Sequence, residues 1–423
     1  MYVAYSCLLF VSLLFYIIPY FVRIKLIRKE SLFLKERLGF SLKNIQSENK
    51  SVWFHAVSVG EVLSLQNLIK KFRENHPDWV IHFSTLTNTG MRVAREKLTE
   101  ADHIFFVPLD FAWVVKKFFN VLKPTLFVLA ESEFWPNLLR VARKKTRGVL
   151  LINGRISPRA FQKHYRFRWL SRRILKNIDM FLVQTENDKK RLERVGVHSE
   201  GISVVSNLKS EIDLPLYDEK KSLNMKKNLS IPFTKKVIVA GSTRKGEERM
   251  LLDAFKKARK ARKDLLLILA PRHPERFDEV ERISQNSSFR VERRTQAAPD
   301  TPWDIMILDT IGELAQFYAL CDLAFIGGSL VPWGGHNLLE PAFYQKPIFF
   351  GPHMKNFAYL ADKFVQADAA RIVQTEDDIV DMFMLKDETS LGLMGDRAKS
   401  TLNSLQGATE KTIQAIDVLI ADS

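Results

Sequence analysis

A chain of 423 residues is too long for one hydrophobic core, which rarely grows past ~250–300 residues, so two domains are expected. Hydrophobic residues make up 46%, enough for two packed interiors, and the two cysteines, far apart in apolar contexts, exclude a disulfide framework or a cysteine metal site. The formal net charge of +16 asks for an anionic partner; no nucleic-acid-binding module accompanies it, so a membrane surface is expected and nucleic acid is not.

Residues Met1 to Val22 carry no charged side chain, and as a helix they would span roughly 33 Å, enough for a bilayer's hydrocarbon core. Arg23, Lys25, Arg28 and Lys29 follow, which by the positive-inside rule leaves the rest of the chain cytoplasmic. A cleaved signal peptide is the alternative, but it would carry its cations before the apolar run and a small-residue cleavage site after it. A transmembrane anchor over 1–22 is therefore expected.

Short apolar runs then alternate with segments of 3.6-residue period. Strands are predicted at Val52–His55, Val80–Ser84, Ile104–Val107, Leu126–Leu129, Val149–Ile152 and Met180–Val183, and helices at segments such as Glu61–Phe72 and Ala112–Leu122. Unbroken apolar strands separated by helices indicate a parallel sheet covered on both faces. The pattern breaks in the Lys-rich stretch Glu211–Thr234. It restarts at Val237–Ala240, Leu265–Leu269, Ile305–Leu308, Leu323–Ile326 and Pro347–Phe350, with a helical pattern from about Gly392 to Ile420. Two successive α/β domains are expected, 23–215 and 216–423.

Strand ends are where ligands bind in such sheets. After the first strand, Ser58-Val59-Gly60-Glu61 opens a helix, so Glu61 is either a proton acceptor or a helix-stabilising first-turn carboxylate. After the fourth, Glu131-Ser132-Glu133-Phe134-Trp135-Pro136-Asn137 brings two carboxylates and a proline suited to an early helix position. Spacing alone does not divide roles between Glu131 and Glu133. Asn153-Gly154-Arg155 repeats the theme, and Asn207-Leu208-Lys209 supplies a mobile cation just before the linker. The run from Lys163 to Ile174 interleaves aromatics with cations, as in a helix at a headgroup boundary or an ordinary solvated one.

In the second half, Ala240-Gly241-Ser242-Thr243 and Pro271-Arg272-His273 follow apolar strands, and Arg272 suits a phosphate or carboxylate. Gly327-Gly328-Ser329 and then Gly334-Gly335-His336-Asn337-Leu338-Leu339-Glu340-Pro341 follow another. Strand, glycine turn and helix start in that order would offer bare N–H groups to a phosphate, with Glu340 a turn later to meet a ribose. A purely structural turn is the alternative.

Taken together, these motifs closely resemble those of the lipid A Kdo transferases, also called 3-deoxy-D-manno-octulosonic acid transferases. The likeness runs from the anchor through both domains and includes Glu36-Arg37-Leu38-Gly39 and Gly351-Pro352-His353. The resemblance implies a GT-B fold, two Rossmann-like domains facing across a cleft. It implies a metal-independent, inverting transfer of Kdo from CMP-Kdo to a lipid A precursor (lipid IVA) at the bacterial inner membrane, with no cofactor beyond that donor. Carried onto this chain, it makes Glu61 the general base and Glu131 and Lys209 transition-state stabilisers. Arg272, His273, Ile311-Gly312-Glu313 and Gly335 through Leu338, with His336, Asn337 and Glu340, would hold CMP.

Overall fold

The computed structural model describes residues 1–2, 5–12, 33–40, 42, 50–212, 214–217, 219–298 and 301–421. The chain forms two compact units, one of Met1–Glu211 with Leu405–Ser423, the other of Ile212–Ser404.

In the first unit the apolar runs become β1 (Ser51–His55), β2 (Val80–Thr85), β3 (His103–Phe106), β4 (Leu126–Ala130), β5 (Gly148–Gly154), β6 (Met180–Val183) and β7 (Ile202–Val204). They form one sheet in the order β3-β2-β1-β4-β5-β6-β7, parallel throughout. β1, β4 and β5 are buried along their whole length. Helices cover both faces, which is why these strands read as continuous apolar runs instead of alternating ones. Trp53, Phe118, Phe119 and Phe127 centre the core on one face, and Phe54, Leu65, Phe72 and Val128 the core on the other. The strand order reverses between β1 and β4, so their carboxyl ends open onto a switch-point crevice.

The second unit repeats the plan with β8 (Lys236–Thr243), β9 (Leu265–Pro271), β10 (Val291–Arg293), β11 (Ile305–Ile307), β12 (Leu323–Ile326), β13 (Ile348–Phe350) and β14 (Ala370–Ile372). Its order is β10-β11-β9-β8-β12-β13-β14, again all parallel. Here the switch point lies between β8 and β12.

Several expectations change. The C-terminal helix Ala408–Ala421 belongs to the first unit, because its apolar stripe of Ile413, Ala415 and Ile416 is buried in the Phe54–Phe72 core. His76 Nε2 meets Asp417 at 2.8 Å, and Glu211 accepts the Ala408 N–H at 2.6 Å, fixing that helix at both ends. Hence neither the boundary at 215/216 nor a second domain running to 423 describes the division. The cationic run forms two helices, Pro158–Arg166 and Arg168–Leu175, that meet at Phe167 and leave Tyr165, Phe167 and Trp169 exposed. Most of the expected anchor, 1–22, lies outside the described residues. Residues 5–12 are helical with Leu8 and Phe10 exposed, and among the described residues no helix is long and apolar enough to cross a membrane.

Candidate functional site

β1 ends at His55 and the helix Val59–Asn75 starts four residues later, with Ser58 as its N-cap. The Ser58 hydroxyl oxygen accepts the Glu61 N–H at 3.4 Å and donates its own proton to Glu61 Oε1 at 2.8 Å. Glu61 Oε2 accepts the Val57 N–H at 2.8 Å. This closely follows the S-x-x-E capping box, so Glu61 does stabilise the helix start. It also faces the switch point. Burial pushes its carboxyl above the ordinary range, the bonds from Val57 and Ser58 pull it back, and the negative charges of Glu131 and Glu133 push it up again. A carboxylate held above its ordinary range is a better proton acceptor than an ordinary surface glutamate.

Glu131 follows β4 with φ +59°, a left-handed conformation that costs a non-glycine residue roughly 1–2 kcal/mol and is worth noting at a candidate site. Its Oε1 accepts a hydrogen bond from Lys209 Nζ at 2.8 Å. Glu133, by contrast, accepts the Trp135 indole N–H at 2.8 Å, which separates the two carboxylates that spacing left undivided. Pro136 opens the helix Pro136–Lys145, as expected.

Lys209 is not the mobile cation anticipated. It sits on a single 3-10 turn, Leu208–Ser210, whose Lys209 N–H is accepted by Asn207 Oδ1 at 2.9 Å and whose Leu208 N–H is accepted by Asn153 Oδ1 at 3.1 Å. Asn207 Nδ2 in turn donates to Gln184 Oε1 at 3.1 Å. Asn153, itself at φ +52° inside the end of β5, is thus a support for Lys209. The first unit therefore gathers Glu61, Glu131 and Lys209 at one place, and each is held by neighbours.

The second unit departs further from expectation. The Gly327-Gly328-Ser329 turn has no bare N–H groups to offer, because the Glu247 carboxylate already accepts those of Gly328 (2.6 Å), Ser329 (2.9 Å), Leu330 (2.8 Å) and Arg244 (2.8 Å). Glu247 is fully buried, and burial raises its carboxyl while these four bonds lower it. Nor does a helix begin at Gly334. The chain stays irregular through Leu338, with Asn337 Oδ1 accepting the Leu339 N–H at 3.1 Å, and the helix Leu339–Phe343 is only five residues long, with Glu340 in its first turn. Gly335 takes φ +75° against Met354, where a Cβ would collide with the sulfur, and its N–H is spent on the Gly328 carbonyl at 2.8 Å. Leu338 is core.

The site is instead built from side chains. Arg244, just past the end of β8, donates from Nε to His336 Nε2 at 3.2 Å, contacts His273 Nε2 and stacks 4.8 Å from the Trp333 ring centroid. Arg272, after β9, donates its N–H to the Thr243 carbonyl at 3.1 Å. Burial, Arg244 and Arg272 together push His336 down to about 4, and burial with the charge of Arg272 lowers Arg244 below its ordinary value. Burial raises Glu340 while the positive charge of Arg272 lowers it. Cations crowded this way are relieved by an anionic ligand, and a phosphate or carboxylate with several acceptor oxygens suits Arg best. Ile311 and Gly312, past β11, are open to solvent, whereas Glu313 pairs with Arg294 at 3.3 Å and accepts the Thr310 hydroxyl at 2.7 Å. Arg244 and Glu247 escaped the sequence reading, although Arg244-Lys245-Gly246-Glu247 follows the first strand of its sheet much as Ser58–Glu61 does in the other.

Two parallel sheets with a polar site at each switch point define a GT-B-type α/β protein. A solved glycosyltransferase from Rickettsia africae has this fold, with a TM-score of 0.54 over 89% of this chain and 100% of that one at 13% identity. A sequence profile described as 3-deoxy-D-manno-octulosonic-acid transferase (kdotransferase) matches residues 33–212. A bifunctional glycosyltransferase/methyltransferase of Fusobacterium nucleatum is 33% identical over 83% of this chain, which spans only 55% of that longer relative. The 3-deoxy-D-manno-octulosonic acid transferase of Haemophilus influenzae is 28% identical over 90% of both chains. The C-terminal CMP-Kdo binding domain of WaaA from Acinetobacter baumannii, a solved structure, is 32% identical over 43% of this chain and 96% of that one, with a TM-score of 0.40. The chain belongs to the 3-deoxy-D-manno-octulosonic acid transferase family and is a glycosyltransferase.

Proposed function

We propose that this chain transfers Kdo from CMP-Kdo to a sugar hydroxyl of a lipid A precursor, lipid IVA, in lipopolysaccharide core biosynthesis, with inversion at the anomeric carbon and without a metal. The observation that carries the reading is the convergence of Glu61, Glu131 and Lys209 at the β1/β4 switch point. Glu61 takes the proton of the acceptor hydroxyl as its oxygen bonds to the anomeric carbon. The bond from that carbon to the phosphate oxygen breaks in the same step, and CMP leaves with the electron pair. Glu131 offsets the positive charge that develops on the sugar, and Lys209 meets the donor's carboxylate or the departing phosphate. Arg272, His273, His336, Asn337, Glu340 and the Ile311–Glu313 turn hold CMP, and Arg244 joins them. Each unit brings cations of its own, Lys209 in the first and Arg244 and Arg272 in the second, so side chains can meet the donor's two negative charges in place of a metal.

An anchor over 1–22 would keep the catalytic units on the cytoplasmic side of the inner membrane, where exposed Tyr165, Phe167 and Trp169 and their neighbouring cations favour the phospholipid surface. The test is mass spectrometry of the product from purified protein, CMP-Kdo and a tetraacylated lipid A precursor. Addition of Kdo with release of CMP supports the reading, and turnover only with UDP-sugars overturns it.

A further inference from the structure

Between Phe134 and Ile178 the chain carries thirteen Lys and Arg residues and no Asp or Glu. Part of this charge borders a groove of about 560 Å³ at the amino ends of β6 and β7, the end of the first sheet opposite Glu61. The floor is apolar, with Leu175, Ile178 and Phe181 no more than 5% exposed. The rim is Arg172, Arg173 and Lys176, all exposed and none in an ion pair among the described residues. Asp179 also lines the groove, but Arg143 at 3.1 Å and the Val149 N–H at 2.9 Å occupy its carboxylate. Trp169 stands at the mouth, 66% exposed. Tyr2 donates its hydroxyl to the Arg173 carbonyl at 3.3 Å, which brings the start of the chain, with Leu8 and Phe10 exposed, to the same side.

An acidic peptide or a nucleic acid would use the cations and leave the apolar floor and Trp169 idle. A phospholipid uses both, since a phosphodiester meets the rim while the glycerol and first methylenes cover the floor, with an indole at the level between. We infer that this groove binds one anionic glycerophospholipid through its phosphate. The inference rests on the membrane-surface part of the function proposed above and is independent of the transfer chemistry.

The experiment is native mass spectrometry of the full chain in detergent micelles, titrated with dioctanoyl phosphatidylglycerol or dioctanoyl phosphatidylcholine. One phosphatidylglycerol is retained at least tenfold more tightly than phosphatidylcholine, and Arg172→Ala/Arg173→Ala/Lys176→Ala weakens retention tenfold or more while CMP affinity stays as in the wild type. Equal retention of the two lipids, unchanged retention by the variant, or displacement by equimolar inorganic phosphate overturns it. Loss of Kdo transfer with lipid retention intact would count against the proposed function and leave the groove standing.

Discussion

Gly60-Glu61 and Gly246-Glu247 occupy equivalent positions, each at the start of the helix after the first strand of a seven-stranded parallel sheet. Glu247 spends its carboxylate on four backbone N–H groups and is sealed from solvent. Glu61 accepts one N–H and one hydroxyl, keeps lone pairs to spare and is 6% exposed beside Glu131. The same dipeptide at the same topological point is thus a structural clasp in one unit and a candidate base in the other. What separates them is how many acceptor positions the fold has already filled.

The surroundings diverge in the same way. The first switch point sets Lys209 against Glu131 with Glu61 close by, whereas the second brings Arg244 onto His273 and His336, with Arg272 near enough to act on His336 and Glu340. That polarity suits proton removal in the first unit and anion binding in the second.

The contrast breaks most sharply at Glu247. Glu247→Ala strands four amide N–H groups, three of them in one turn, and should cost several kcal/mol, with a large fall in melting temperature and loss of CMP binding. A melting temperature within a few degrees of wild type would mean the clasp is dispensable. Next, Lys209→Ala should lower the transfer rate about 10²–10³-fold, the usual scale for one transition-state donor, with CMP affinity unchanged by calorimetry. A parallel loss of CMP affinity would move Lys209 from the chemistry to donor binding. Smaller again, Arg272→Ala removes a charge-assisted bond and should weaken CMP binding by about 10–100-fold. Unchanged affinity would take Arg272 out of the pocket.

The last effect concerns stability. Burial lowers both His55 and His82, in the first unit, to about 4. Below the unfolded value near 6.5 the unfolded chain takes up protons that these two resist in the fold, so their contribution to stability falls as pH drops from about 6.5 to about 4. Each removes up to about a factor of ten per pH unit from the folded-to-unfolded ratio. Asp110, raised by burial to about 6, acts in the opposite sense over part of that range, so the clean measurement is a difference. His82→Phe, which keeps a ring, should flatten the denaturant-melt pH dependence by one proton between pH 6.5 and 4.5. Identical slopes would mean His82 is not held neutral.

How much of this was legible in the sequence depended on burial. β1, β4, β5, β8 and β9 could be read because both faces are covered and their runs are apolar without a break. β7, β10 and β14 could not, being three-residue edge strands whose half-exposed faces leave no such run. The motif glutamates were visible because they sit beside glycine and proline at strand ends. The return of Ala408–Ala421 to the first unit was not, since an apolar stripe says that a helix packs but not on which sheet. Likewise, Asn153, Arg244 and Glu247 act through partners more than fifty residues away, which no local pattern discloses.

The most direct measurement is single-turnover Kdo transfer by Glu61→Gln, read alongside CMP calorimetry on the same sample. The amide keeps the side chain's shape and an acceptor for the helix start but cannot take up a proton. Transfer should fall about 10²–10⁴-fold with CMP affinity as in the wild type. Transfer at the wild-type rate would contradict the account, because the carboxylate at the first switch point would then be a helix cap and nothing more.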